Sequence, residues 1–443
     1  MADIEKQIEG SGLRKSSIDV GNYEDLNRHS AIQPPDVPLL SLSPEGMDGG
    51  GQAWLTVFGA FMALVCTFGQ MNAFGTYQSW YSDHQLSHMS PFSISWIGSL
   101  QLWTFFFMGG PIGRVFDAFG PRPIMISGSF LLILSIVTTS ICTRYYQYLL
   151  SQGFLFGLSV GMLFYPSMAS VSTHFNKYRA TALGIAAAGS SVGGVVYPIL
   201  LQHMFRATGF SWGVRIAALV SAVCCALAVL TVQTRLPCSR KCGPWINTKV
   251  FTDMQFVLLV IGSFFVALGL FTPFFYIEEY TQDLSISPEI AFYVLSVMNA
   301  GGVFGRIAPA YLSDVIGRFN LLTPTAFLSG LSCLVFWMFS ESLAAVMGFA
   351  AVYGFFSGAF ISVITPCVAQ ISDIREIGTR IGVLYTLISL PSLFGGPIAG
   401  IMLQNEQHSY TGMIALAGAS IIIGSLFILG SKLAIDRRIF ARI

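Results

Sequence analysis

Twelve apolar stretches dominate the chain, and each approaches the ~20 residues a helix needs to cross the hydrocarbon core of a bilayer. They lie near 53–78, 94–115, 122–142, 145–168, 180–203 and 212–233. Beyond a polar loop six more follow, near 254–279, 288–312, 319–340, 342–367, 379–403 and 410–432. In lipid every backbone polar group must find a partner inside the protein, so spans of this length are helices. The predicted fold class is therefore an all-α membrane protein with twelve transmembrane helices. Only 10% of the 443 residues are charged, against roughly a quarter in soluble domains, which excludes a water-soluble globular fold. A net charge of +1 gives no electrostatic basis for binding nucleic acid.

The distribution of charge sets the expected orientation. With the N-terminus in the cytosol, twenty of the 23 lysines and arginines fall on the cytosolic side, and only Arg144, Arg206 and Arg215 fall outside. This positive-inside bias predicts that both termini are cytosolic. The expected organisation is a disordered cytosolic tail over 1–52, a six-helix bundle over 53–233 and a cytosolic loop over 234–252. A second six-helix bundle over 253–432 and a short cytosolic tail over 433–443 complete it. The first 50 residues have scattered charges, no signal-peptide core and a Ser, Asp, Glu and Pro content that suits a solvated tail. The expected location is the plasma membrane.

The two halves repeat one plan. "GFLFGLSVGMLFYP" (Gly153–Pro166) resembles "GFFSGAFISVITP" (Gly354–Pro366), with the prolines 200 residues apart. "GRVFDAFGPR" (Gly113–Arg122) resembles "AYLSDVIGR" (Ala310–Arg318), with Asp117 and Asp314 197 apart. Arg179 and Arg380 each open an apolar helix and are 201 apart. Near-constant offsets argue for a duplicated six-helix unit, and parallel halves of this kind rock about a site near mid-membrane. In the repeated Asp-x-x-Gly pattern the glycine is expected to turn a tight loop. Asp117 with Arg122, and Asp314 with Arg318, are candidate gating groups that lock one conformation; the alternative is an ordinary solvated turn.

One charge stands apart. Arg306 lies eight residues before Asp314, about 12 Å at helical rise, and so well inside the bilayer. A charge at a helix centre costs on the order of 3 kcal/mol on insertion scales, and such residues face cavities. Two other readings exist: snorkelling to the headgroups, and a bond to carbonyls opened by Pro309. The cavity reading makes Arg306 a substrate-binding residue that draws an anionic or electron-rich group into a central path. "LFTPFFYIEEY" (Leu270–Tyr280) breaks a helix at Pro273 and offers Tyr276 as an aromatic lining residue.

Two segments carry a family resemblance. "DGGGQAWLTVFGAF" (Asp48–Phe61), with Asp48, Gly49 and Trp54, resembles the signature leading into helix 1 of the monocarboxylate porter family of the major facilitator superfamily. "HFNKYRATALGIAAAGSSVGG" (His174–Gly194), with Lys177, Arg179, Gly184 and Gly189, resembles that family's second signature, before helix 5. His174 and Tyr178 depart from its usual residues. "FGQMNAFGTYQSWY" and "SISWIGSLQ" are similar to fungal members. The resemblance implies two pseudo-symmetric six-helix halves and alternating-access transport of small organic anions, often with a proton. It implies substrate-binding roles for Arg306 in helix 8 and Phe360 in helix 10. A lysine of proton-coupled members falls at Asn72, which would instead offer a neutral donor and acceptor. An aspartate one turn before the arginine falls at Gly302. Proton coupling by side chains is therefore expected to be incomplete.

The expected function is secondary transport of a small organic acid or a weakly acidic secondary metabolite, leaning to efflux. Uptake of a monocarboxylate or a riboflavin-like vitamin is the alternative, and a non-transporting sensor a lesser one. No cofactor is expected and no enzymatic activity, because no nucleophile–base pair or phosphate loop appears. No metal is expected either: Cys238 and Cys242 lack further ligands, as do His84 and His88. The expected partners are the small-molecule substrate and the lipid bilayer.

Overall fold

A computed structural model of the chain describes residues 49–235, 252–372, 377–405 and 409–438. Every regular element among them is helical. The first half comprises α1 (Gly51–Asp83), α2 (Pro91–Phe107 and Gly109–Phe119), α3 (Pro121–Thr139), α4 (Tyr145–His174), α5 (Arg179–Thr208) and α6 (Phe210–Thr231). The second comprises α7 (Met254–Asp283), α8 (Pro288–Ile316), α9 (Arg318–Phe339), α10 (Leu343–Gln370), α11 (Ile377–Asn405) and α12 (Thr411–Ile435). Among the described residues eleven of these are long and apolar enough to cross a membrane. α2, which breaks at Met108, is not among them. The central loop, the cysteines at 238 and 242, and Asp48 lie outside the described residues.

Local chemistry starts and ends the helices where the sequence suggests. Ser90 caps α2 by accepting from the Ser93 amide at 3.3 Å, with Pro91 in the first turn. Asp253 caps α7 through the Gln255 amide at 3.2 Å. The paired Asp-x-x-Gly segments turn as predicted: Gly120 and Gly317 take φ of 76° and 104°, a region that favours glycine.

Small residues let the helices approach closely within and between the halves. Gly153, Gly157 and Gly161 of α4 face α2, and a Cβ at Gly157 would stand 2.5 Å from the Gln101 carbonyl oxygen. In the second half a Cβ at Gly354 of α10 would stand 1.9 Å from the Met298 carbonyl oxygen of α8. Gly354→Ala is expected to force these helices apart and cost about 1–3 kcal/mol. A lower melting temperature of the purified protein would register it. Gly430→Ala, whose Cβ would have 3.8 Å of clearance, should melt as the parent does.

The halves meet along two helix pairs, α5 with α8 and α2 with α11. The ends of the bundle differ in charge. Arg114, Arg179, Arg318 and Arg380 mark one, called here the arginine-rich end.

Candidate functional site

The cavity forms where two helices fail to stay regular. α1 breaks at Thr67 and again at Ala73, and α7 breaks at Phe271. These are matching places in the two halves, and they flank a central space of about 80 Å³. Discontinuous helices at a repeat interface are a recurrent way to build a mid-membrane site. Both halves supply its walls. Phe68, Phe105, Phe106 and Phe164 come from the first, and Phe271, Phe274, Phe360 and Tyr385 from the second. Tyr385 stacks on Phe106 across the joint, with ring centroids 5.6 Å apart, and its hydroxyl lies 3.0 Å from the Thr365 hydroxyl.

Arg306, Asn72 and Phe360, expected from sequence to share a site, all line this cavity. Arg306 is only 4% exposed, so it does not snorkel to a headgroup layer. Its Nη1 donates to the Ser191 hydroxyl of α5, and among the described residues its Nε has no hydrogen-bond partner. Among the described residues no carboxylate lines the cavity with it. Asn72 donates from Nδ2 to the Asn299 Oδ1 of α8 at 3.2 Å and to the Ser190 carbonyl at 3.4 Å.

Tyr276 departs from the expectation. Pro273 begins a new helical segment that turns Tyr276 towards α11, where its hydroxyl donates to the Gly396 carbonyl at 2.9 Å. Phe274, two residues earlier, takes the lining position instead. The next residue, Phe275, lines a second space of about 590 Å³ at the end away from the arginine-rich one, with Trp80, Arg206, Glu278 and Glu279. Between the two spaces stand the Asn72–Asn299 bond and an edge-to-face contact of Phe74 with Phe275, centroids 6.5 Å apart.

The arginine-rich end is shut by direct contact. The carboxylate of Asp314 on α8 accepts from the Thr181 amide and hydroxyl, both at 2.8 Å, and from the Ala180 amide at 3.3 Å. It thus caps the N-terminus of α5, in the opposite half, where a helix dipole favours negative charge. Arg318 lies 3.6 Å from Asp314 and also donates to the Pro366 carbonyl at 3.3 Å. The other pair differs. Asp117 and Arg122 are exposed, and no bond between the halves involves them among the described residues.

The signature residues sit where α1, α5 and α8 approach one another. The Trp54 ring meets Phe175 edge-on at 5.3 Å, and Arg179 Nε donates to the Phe175 carbonyl at 3.0 Å. The Lys177 ammonium sits 5.2 Å from the Tyr178 ring. A Cβ at Gly189 would stand 2.3 Å from the Phe61 carbonyl oxygen, and one at Gly184 2.4 Å from the Arg306 carbonyl oxygen. Gly49 precedes α1 with φ of 143°. His84 stacks on Trp80 at 3.8 Å, and among the described residues no three His, Cys, Asp or Glu side chains gather as a metal site.

Ser191, Asn299 and Tyr385 were not anticipated. Asn299 carried a signal: it lies seven residues before Arg306, hence on the same helix face.

A profile of the Major Facilitator Superfamily matches residues 57–342 and again 259–438. The chain is 36% identical over 427 residues to the aspyridones efflux protein apdF of Emericella nidulans, covering 96% of this chain and 84% of that one. It is 34% identical over 419 residues to the fujikurins efflux protein of Gibberella fujikuroi, covering 93% and 89%. With the agnestins efflux protein AgnL12 of Paecilomyces divaricatus it shares 36% identity over 409 residues, covering 91% and 94%. Its fold is similar to the crystal structure of the human organic anion transporter MFSD10 (TETRAN). The TM-score is 0.67 at 14% identity, over 89% of this chain and all of that one.

Proposed function

Because the chain belongs to the Major Facilitator Superfamily, we propose that it exports a bulky, weakly acidic secondary metabolite across the plasma membrane by alternating access. Within the superfamily we assign it to the monocarboxylate porter branch, on the two signature segments. The observation that carries the reading is a buried arginine, without a carboxylate partner, on the wall of an aromatic cavity between the halves. An anionic group would take the guanidinium, and an aromatic body would take the rings. Relatives named for efflux of aspyridones, fujikurins and agnestins support the direction and the substrate class.

The cavity of about 80 Å³ is small beside the roughly 300–1,000 Å³ of pockets for drug-sized ligands. In this reading the halves have closed on an empty site, and a metabolite enters when they part. The arginine-rich end faces the cytosol, the Asp314 contacts close it, and the larger space opens outward. The same small volume favours a second reading, carriage of a short monocarboxylate.

Flux into inside-out plasma-membrane vesicles separates the two. Carboxylates ranging from acetate to 2-naphthoate would be followed by mass spectrometry, with and without a pH gradient. Saturable uptake of the aromatic acids, weakly dependent on the gradient, is expected. Preference for acetate would sink the bulky-metabolite reading in favour of the short monocarboxylate, and a steep proton dependence would overturn the expectation of incomplete proton coupling.

A further inference from the structure

The partner of Arg306 comes from the other half of the molecule. Ser191 lies on α5, is 1% exposed, and its hydroxyl accepts from Arg306 Nη1. Its position depends on a missing side chain: a Cβ at Gly302 would stand 2.7 Å from Ser191 Oγ. The stem of Arg306 is held likewise, its Cγ 3.5 Å from where Gly358 of α10 would carry a Cβ. So α8 offers a notch at Gly302, Ser191 fills it, and the guanidinium reaches the hydroxyl. Along the same interface α8 binds the first half at Asn299, at Arg306 and at Asp314. Arg306 is the middle contact of three, and the only one of them that is cationic.

A hydroxyl is a weak partner for a guanidinium. It presents one neutral acceptor atom where a carboxylate presents two charged ones, which can take the guanidinium through two parallel N–H bonds. Yet without the hydroxyl the closed, empty cavity would hold a guanidinium with neither Nη1 nor Nε bonded, a costly burial.

We propose that Ser191 is the resting partner of Arg306: it takes the place of the substrate anion in the empty carrier and so lets the two halves close without cargo. Binding of an anion displaces the hydroxyl, and release of the anion restores it. The role gives a carrier that resets unloaded, which net export requires. It rests on the reading of Arg306 as the anion-binding group.

Hydrogen–deuterium exchange of the purified full chain in lipid nanodiscs, with no ligand added, tests it. Ser191→Ala is expected to speed exchange several-fold in peptides from 179–194 and 299–316 and to leave 121–139 unchanged. Ser191→Thr should keep the parent's protection. Gly302→Ala, which pushes the hydroxyl away, should reproduce the alanine effect. Adding 2-naphthoate should restore protection to Ser191→Ala, because the anion replaces the missing hydroxyl. Unchanged exchange in Ser191→Ala overturns the proposal. So does uniform loosening of every helix in both Ser191→Ala and Gly302→Ala, which marks a packing defect. Failure of the underlying reading shows differently: the parent and Arg306→Ala would then bind 2-naphthoate alike, whatever the exchange rates.

Discussion

Arg306→Ala is expected to lower transport of an acidic substrate by about a hundredfold while the protein still reaches the membrane. Losing one partner of a buried, hydrogen-bonded charge pair costs roughly 2–5 kcal/mol, and 1.4 kcal/mol is a factor of ten. The estimate lies near the lower end of that range, because the aromatic walls still hold the body of the substrate. Folding should survive, since the substitution removes a buried cation whose only bond among the described residues is to Ser191. Arg306→Lys separates charge from geometry. Lysine keeps the charge but cannot bind a carboxylate through two parallel N–H groups, so intermediate transport is expected. The comparison requires rates in vesicles normalised to the amount of protein in the membrane. Full transport by the alanine variant would remove the arginine from the mechanism.

Asp314→Ala is the second large effect. The carboxylate caps α5 from the opposite half and pairs with Arg318 at 3.6 Å. A helix cap is worth about 1 kcal/mol and a charge at a helix N-terminus about 0.3–1 kcal/mol. Together, at about 2 kcal/mol, they correspond to roughly a thirtyfold shift between closed and open at the arginine-rich end. Peptides around residues 177–186 should exchange deuterium much faster, and transport should drop about tenfold as the closed state empties. Asp117→Ala should change both far less, because Asp117 is exposed and forms no hydrogen bond or ion pair between the halves among the described residues. Equal effects from the two would mean that both aspartates gate, as their symmetric sequence positions first suggested.

That contrast shows where sequence reading stops. The twelve spans, the duplication and the placement of Arg306 were legible because each is local or periodic: hydrophobic length, a near-constant offset, a charge within an apolar run. The turns at Gly120 and Gly317 were legible for the same reason. What the aspartates touch was not. Asp314 meets the start of α5 more than 130 residues away, and only the packing of the halves brings them together. Tyr276 illustrates a related limit, since Pro273 announces a break in α7 but not the direction of the new segment. Met108 interrupts α2 without proline or glycine at the break itself, although Gly109, Gly110 and Pro111 follow at once. Ser191 was hidden for a subtler reason. Its role needs a hydroxyl on one helix and a missing side chain on another, and neither stands out among so many serines and glycines.

Equilibrium binding of 2-naphthoate to the purified protein in nanodiscs, beside its neutral analogue 2-naphthalenemethanol, tests most directly whether the central cavity captures acids through Arg306. The expected result is that the parent binds the carboxylate about a hundredfold more tightly than the alcohol, and that Arg306→Ala binds both as weakly as the parent binds the alcohol. Equal binding of the two compounds by the parent, or undiminished carboxylate binding by Arg306→Ala, would contradict it.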